Sequence, residues 1–164
     1  MAYLLDSNVF ITAHRMHYGF EFCPGFWEWI TAAHRHGSVY SIGRVYSELH
    51  GQQDPLSDWV RSLPPSFFLP PDAATQPHFT AVSNWTLTRN YQTPAINEFF
   101  QTADFHLVAQ ALQGGHTVVT YEVPGGSLKR VKIPDVCLAL GVPCIPPHEM
   151  LRRERARFVL GAGA

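Results

Sequence analysis

The chain has 164 residues, 46% of them hydrophobic and 15% charged, and a net charge of −1. That is enough apolar chain to bury a core unaided, which excludes global disorder and a small disulfide-stapled scaffold. No stretch approaches the roughly 18 apolar residues of a spanning helix, and three cysteines with no close pair in the sequence, Cys23, Cys137 and Cys144, fit reduced thiols in a cytoplasmic protein.

In chain order, Ala2–Leu5 reads as a short buried strand ending at Asp6, with Ser7 or Asn8 capping a helix that carries Val9, Phe10 and Ile11. Pro24 opens a second helix, with Phe26, Trp27 and Ile30 on one face and Gly37 beyond its end. Val39–Ile42 is the next strand, and a helix follows from Arg44 to His50. Asp54 caps a helix over Pro55–Leu63. The proline-rich segment Pro64–Pro77 reads as loop or extended chain.

Helical patterns return at Thr80–Thr88 and Ala103–Gln113, the second stopped by Gly114-Gly115. Thr117–Thr120 is a β-branched strand, Gly125-Gly126 a turn, and Leu128–Ile133 extended. Pro134 opens a helix that ends at Gly141, Cys144-Ile145 is a last strand, and a final helix runs from Pro147 to Phe158. Short apolar strands alternating with helices make residues 1–164 one α/β domain, with a mostly parallel sheet covered on both faces. In such sheets, ligands sit beyond the carboxyl ends of the strands.

Five acidic residues fall near that edge. Asp6 ends the first strand, Glu48 lies on the helix after the second, and Asp104 opens its helix. Glu122 follows Thr117–Thr120, and Asp135 follows Pro134. Clustered carboxylates repel one another. A hard cation such as Mg²⁺ or Mn²⁺ relieves that repulsion and brings a phosphodiester within reach of activated water. Taken singly, each residue has a plainer role as a cap, a complement to a helix N-terminus, or a solvated surface group; their joint placement makes the case.

Charge is unevenly spread. Residues 1–128 hold five basic and ten acidic residues, whereas residues 129–164 hold seven and three. The basic group, Lys129, Arg130, Lys132, Arg152, Arg153, Arg155 and Arg157, suits RNA phosphates, an acidic partner, or a solvated helix face.

Tyr3-Leu4-Leu5-Asp6-Ser7-Asn8-Val9-Phe10 resembles the opening of the PIN-domain family, in particular VapC-like toxins of bacterial toxin–antitoxin pairs. Val45-Tyr46-Ser47-Glu48-Leu49 resembles the family's helix with one acidic residue, and Thr102–Ala109 its helix-opening aspartate. Val118-Val119-Thr120-Tyr121-Glu122 is similar to its fourth motif, with glutamate where aspartate is usual. Lys132-Ile133-Pro134-Asp135-Val136-Cys137 resembles a subgroup of long PIN-like proteins. The resemblance implies a three-layer α/β/α fold and a metal-dependent endoribonuclease. Asp6, Glu48 and Asp104 would hold Mg²⁺ or Mn²⁺, and either Glu122 or Asp135 would complete the site. Ser7 and Thr120 would orient carboxylates, and Asn8 would orient Asp6 or cap its helix. A homodimer restrained by a cognate antitoxin is also implied.

Two other functions compete with this one: a non-catalytic PIN-like binding module, and a metal phosphohydrolase acting on small phosphate esters. His14 and His17 share a helix face but lack a third ligand at zinc spacing, and His106 reads as packing. Cys137 and Cys144 read as small buried hydrophobes. Trp27, Trp29, Trp59, Trp85, Phe67 and Phe68 suit core packing, with stacking on unpaired bases as the alternative for individual rings. No phosphate-cradling glycine loop or nucleophile elbow is present.

Overall fold

The computed structural model describes residues 1–161. Its elements are β1 (Tyr3–Leu5), α1 (Ser7–Thr12), α2 (Pro24–Arg35), β2 (Val39–Ile42), α3 (Gly43–Leu49), α4 (Pro55–Ser62), β3 (Phe68–Leu69), α5 (Gln76–Thr88), α6 (Thr93–Gln101), α7 (Ala103–Gly114), β4 (Thr117–Val119), α8 (Ile133–Leu140), β5 (Cys144–Ile145) and α9 (Pro147–Arg153). All five strands are parallel, in the order β3-β2-β1-β4-β5. The helices complete a three-layer α/β/α fold.

A parallel sheet covered on both faces demands apolar side chains in both directions. Leu4, Leu5, Val118 and Val119 meet that demand and are wholly buried. β1 is the central strand: Tyr3 lies opposite Val39 on one side and Thr117 on the other, and Leu5 lies opposite Val119. The buried rings of Phe10, Phe26 and Phe67 extend this core between sheet and helices. Among the described residues, no helix is long and apolar enough to cross a membrane.

Several local expectations hold for the stated reasons. Asp54 caps α4 by accepting the Ser57 N–H at 2.8 Å. Gly115 and Gly141 stop α7 and α8 in the left-handed region, at φ +63° and +72°, where a Cβ would be strained.

Others need correction. Neither Ser7 nor Asn8 caps α1: Asp6 occupies the cap position without a side-chain bond, and both following side chains are engaged elsewhere. The π-helical turn Ala13–His17 prolongs α1. The proline-rich segment is extended at Phe68-Leu69, as expected, where it pairs with β2 as a short edge strand, but it also contains 3-10 turns at Pro65–Phe67 and Ala73–Thr75. α5 begins at Gln76, because Pro77 is tolerated in a first turn that lacks backbone partners anyway. α6 was not expected; Thr93-Pro94 opens it, and Ala95 and Phe99, four apart, bury its inner face. Leu128–Lys132 is irregular, and α8 starts at Ile133. α9 ends at Arg153, short of Phe158, and Arg155 then turns the chain at φ +53°.

Candidate active site

Asp6 and Thr120 each stand one residue beyond a strand, on neighbouring strands β1 and β4. The Asp6 N–H donates to Val119 O at 3.0 Å, and the Thr120 N–H donates to Ile145 O at 3.1 Å. Their side chains meet at the sheet edge, where the Thr120 hydroxyl donates to Asp6 Oδ2 at 2.8 Å. The same hydroxyl accepts from the Asn8 side-chain amide at 3.0 Å and from the Glu122 N–H at 3.1 Å. Asn8 Oδ1 in turn accepts the Tyr121 N–H at 3.1 Å. Thr120 is therefore a buried hub that fixes Asp6 and the chain leading to Glu122.

Glu48 arrives on α3. One of its oxygens accepts from the Ser7 hydroxyl, and the other accepts the Ala103 N–H at 3.0 Å. It thereby satisfies a backbone donor at the start of α7 and ties that helix to the end of β1. Asp104, one residue further on, is partly buried in the first turn of α7.

The two candidates for the fourth acidic position have different settings. Glu122 is largely buried; Oε1 accepts from Arg130 Nη2 at 2.6 Å, and Oε2 accepts the Ile133 N–H at 2.9 Å. Asp135 instead accepts the Gly125 N–H on both oxygens at 3.2 Å, pinning the loop after β4. Glu122, and not Asp135, is among the charges that act on Asp6 and Asp104.

Burial pushes the Asp6 carboxyl up to about 7; the Thr120 hydrogen bond opposes this, while Glu122 and Glu48 add to it. Burial also pushes Asp104 up to about 8, reinforced by the charges of Asp6, Glu122 and Glu48 and opposed by Arg130. Both groups are thus costly to ionise in the metal-free protein. A cavity of about 180 Å³ opens beside Glu48, Thr102, Asp104 and Arg130, with Glu98 on its wall. Glu98 was not anticipated because α6 was not; the Thr93-Pro94 start signal was the available clue.

The donor set is all carboxylate, which fits a hard cation. Among the described residues, no three His, Cys, Asp or Glu side chains stand together as a ready ligand set. Glu48 and Glu122 already have partners on both oxygens. Asp6 and Asp104 fit a Mg²⁺ or Mn²⁺ site of the kind held by one or two carboxylates and completed by water.

The basic residues divide into two groups. Lys129, Arg130 and Lys132 lie on the loop beside the cleft, where Lys132 Nζ donates to Val123 O at 3.3 Å. Arg153 pairs with Glu149 at 2.9 Å, and its charge acts on Tyr3 at the opening of β1, away from the strand end that bears Asp6. Arg152 and Arg155 are exposed beside it in sequence. His106 packs edge-on against Phe79 at 5.0 Å. The three cysteines are free thiols.

Residues 3–158 match the model of a family described as a domain of unknown function, DUF4411. No curated protein and no solved structure matches the chain.

Proposed function

The chain belongs to the DUF4411 family, and we propose that it is a metal-dependent endoribonuclease of PIN-like type. The observation that carries the reading is the gathering of Asp6, Glu48, Asp104 and Glu122 at the carboxyl edge of the sheet, with two of them held in forms that resist ionisation. Such an arrangement is unfavourable for a structural role alone, and perturbed carboxyls in a cleft point to function.

Asp6 and Asp104 would hold Mg²⁺ or Mn²⁺. When bound, such a cation lowers the pKa of water and offsets charge on an attacked phosphodiester. Thr120 holds Asp6 in one orientation, and Ser7 with the Ala103 N–H does the same for Glu48. Arg130, tethered to Glu122 and largely exposed, offers a positive charge to a phosphate oxygen at the cavity.

The first test is cleavage of a mixed RNA pool by purified protein in Mn²⁺, Mg²⁺ or chelator, beside Asp6→Asn. Metal-dependent cuts absent from the variant are expected. Folded protein that cuts nothing in any metal, or a variant that cuts at full rate, would end this reading. Thr120→Val, similar in size, removes the hub and strands the Asn8 amide and the Glu122 N–H. Metal affinity is expected to fall by roughly 10–100-fold, and calorimetric titration with Mn²⁺ measures it.

A second reading has one observation in its favour. Both oxygens of Glu48 and of Glu122 are engaged within the protein, which suits a PIN-like module that binds RNA without cutting it. RNA binding without turnover in any divalent cation would select it.

A further inference from the structure

Next to the acidic cleft lies a second cavity, of about 370 Å³. Trp85, Arg89, Asn90 and Tyr91, from the end of α5 and the residues after it, form one wall; the loop 125–128 forms the other. The same loop serves both cavities. It leaves the cleft at Glu122, lines the second cavity as far as Leu128, and returns to the cleft at Arg130. Leu128, on the second cavity, and Arg130, on the cleft, are two residues apart on this loop.

The loop is fixed at two points. Gln92 N–H donates to Leu128 O at 2.9 Å, and Gly125 N–H donates to the Asp135 carboxylate. The chemistry of the other wall is unusual for a packing defect. The Trp85 and Tyr91 rings lie 6.1 Å apart and tilted by 57°, so neither covers the other's face. Arg89 sits 5.2 Å from the Trp85 centroid and is exposed. The indole N–H of Trp85 is buried with no acceptor within the described residues. A buried donor left unmatched is costly, and Trp85 is one of the residues that line the cavity. Asn90 adds an exposed amide that both donates and accepts.

Two partly exposed aromatic rings, a guanidinium over one of them and an exposed amide are groups that suit an unpaired base. Lys129 and Arg130, exposed on the joining loop, match the charge of the phosphate between two such sites. A protein side chain would use the rings but not this cationic rim.

We propose that the Trp85–Tyr91 cavity is a nucleobase subsite, holding one unpaired base of the RNA strand whose neighbouring phosphate lies in the acidic cleft. The identity of the strand rests on the nuclease reading; the base-stacking chemistry does not. By this proposal the protein selects single-stranded or looped RNA, because a paired base cannot enter.

The test is performed in chelator, so that no cleavage contributes. A short single-stranded RNA carrying 2-aminopurine is titrated with wild-type protein, Tyr91→Ala and Tyr91→Leu, and a duplex of the same sequence is titrated in parallel. Wild-type protein is expected to quench the base on binding. Both variants are expected to lose the quench and to bind the single strand about tenfold more weakly, within the range for one stacked base, with duplex binding unchanged. Tyr91→Leu keeps apolar bulk, so a fold defect confined to the alanine variant does not decide the result.

Unchanged affinity and quench in Tyr91→Leu would overturn the proposal, as would equal weakening for single strand and duplex. A free mononucleotide that competes as well as the strand would overturn the strand assignment. Quenching that depends on Tyr91, in a protein that cleaves no RNA with any metal, would uphold the subsite while removing the nuclease reading.

Discussion

Asp104→Asn is expected to abolish metal-dependent cleavage and, without metal at pH 8, to make the protein more stable. The two effects have one cause. The Asp104 carboxyl is pushed up to about 8, first by burial and then by the charges of Asp6, Glu122 and Glu48. At pH 8 the folded carboxyl is only about half ionised whereas that of the unfolded chain is fully ionised, and each unit of the shift between the two states is worth about 1.4 kcal/mol. The amide removes the charge and keeps the size. A gain of a few kcal/mol is expected, read as a rise of several degrees in Tm. If Asp104 holds the metal as proposed, its loss removes several kcal/mol of transition-state stabilisation, or about 1000-fold in rate. Thermal melts and cleavage assays on the same preparation check both. A variant that is inactive and also less stable would mean that Asp104 serves the fold.

Metal-free protein is expected to be most stable under mildly acidic conditions and to weaken steadily towards pH 8. Asp6 and Asp104 have folded values of about 7 and about 8, against a usual 3.8. Between those limits the folded state holds protons that the unfolded state has released, so unfolding free energy falls as pH rises. The decline begins above pH 4 and levels off once pH exceeds about 8. The two groups act on each other, so the total is a property of the pair. Mn²⁺ or Mg²⁺ competes with those protons, so added cation should raise Tm much more at pH 8 than at pH 5.5. Melting curves from pH 5 to 8.5, with and without metal, decide it. A flat profile in chelator, with no metal response at either end, would remove the electrostatic basis of the site.

Much of this arrangement is legible in the residues themselves. The apolar runs Tyr3–Leu5 and Thr117–Val119 are strands because a sheet covered on both faces accepts nothing else. The rule that ligands gather beyond parallel strands then leads to Asp6 and Thr120. What eluded the sequence depends on long-range partners. Ser7 and Asn8 have the composition of helix caps, yet Glu48, forty-one residues away from Ser7, and Thr120 claim their side chains. Glu122 and Asp135 differ in the backbone N–H groups that they meet, Ile133 and Gly125, and local spacing carries no such information. Glu98 depends on α6, whose advance signals were Thr93-Pro94 and the apolar pair Ala95 and Phe99, and the cavity at Trp85 depends on the approach of loop 125–128 to the end of α5.

The hydrogen bond from Thr120 to Asp6 spans 114 residues, and β1 lies between β2 and β4 in the sheet. This has a consequence for biosynthesis. While the chain is still emerging from the ribosome, Asp6 lacks Thr120, β4 lacks its outer neighbour β5, and Glu122 lacks the α8 donor that holds it. The cleft is completed only after residues near 145 have left the exit tunnel. On the proposed nuclease reading, a nascent chain translated from a message, and surrounded by ribosomal RNA, would have no assembled acidic centre with which to attack either one.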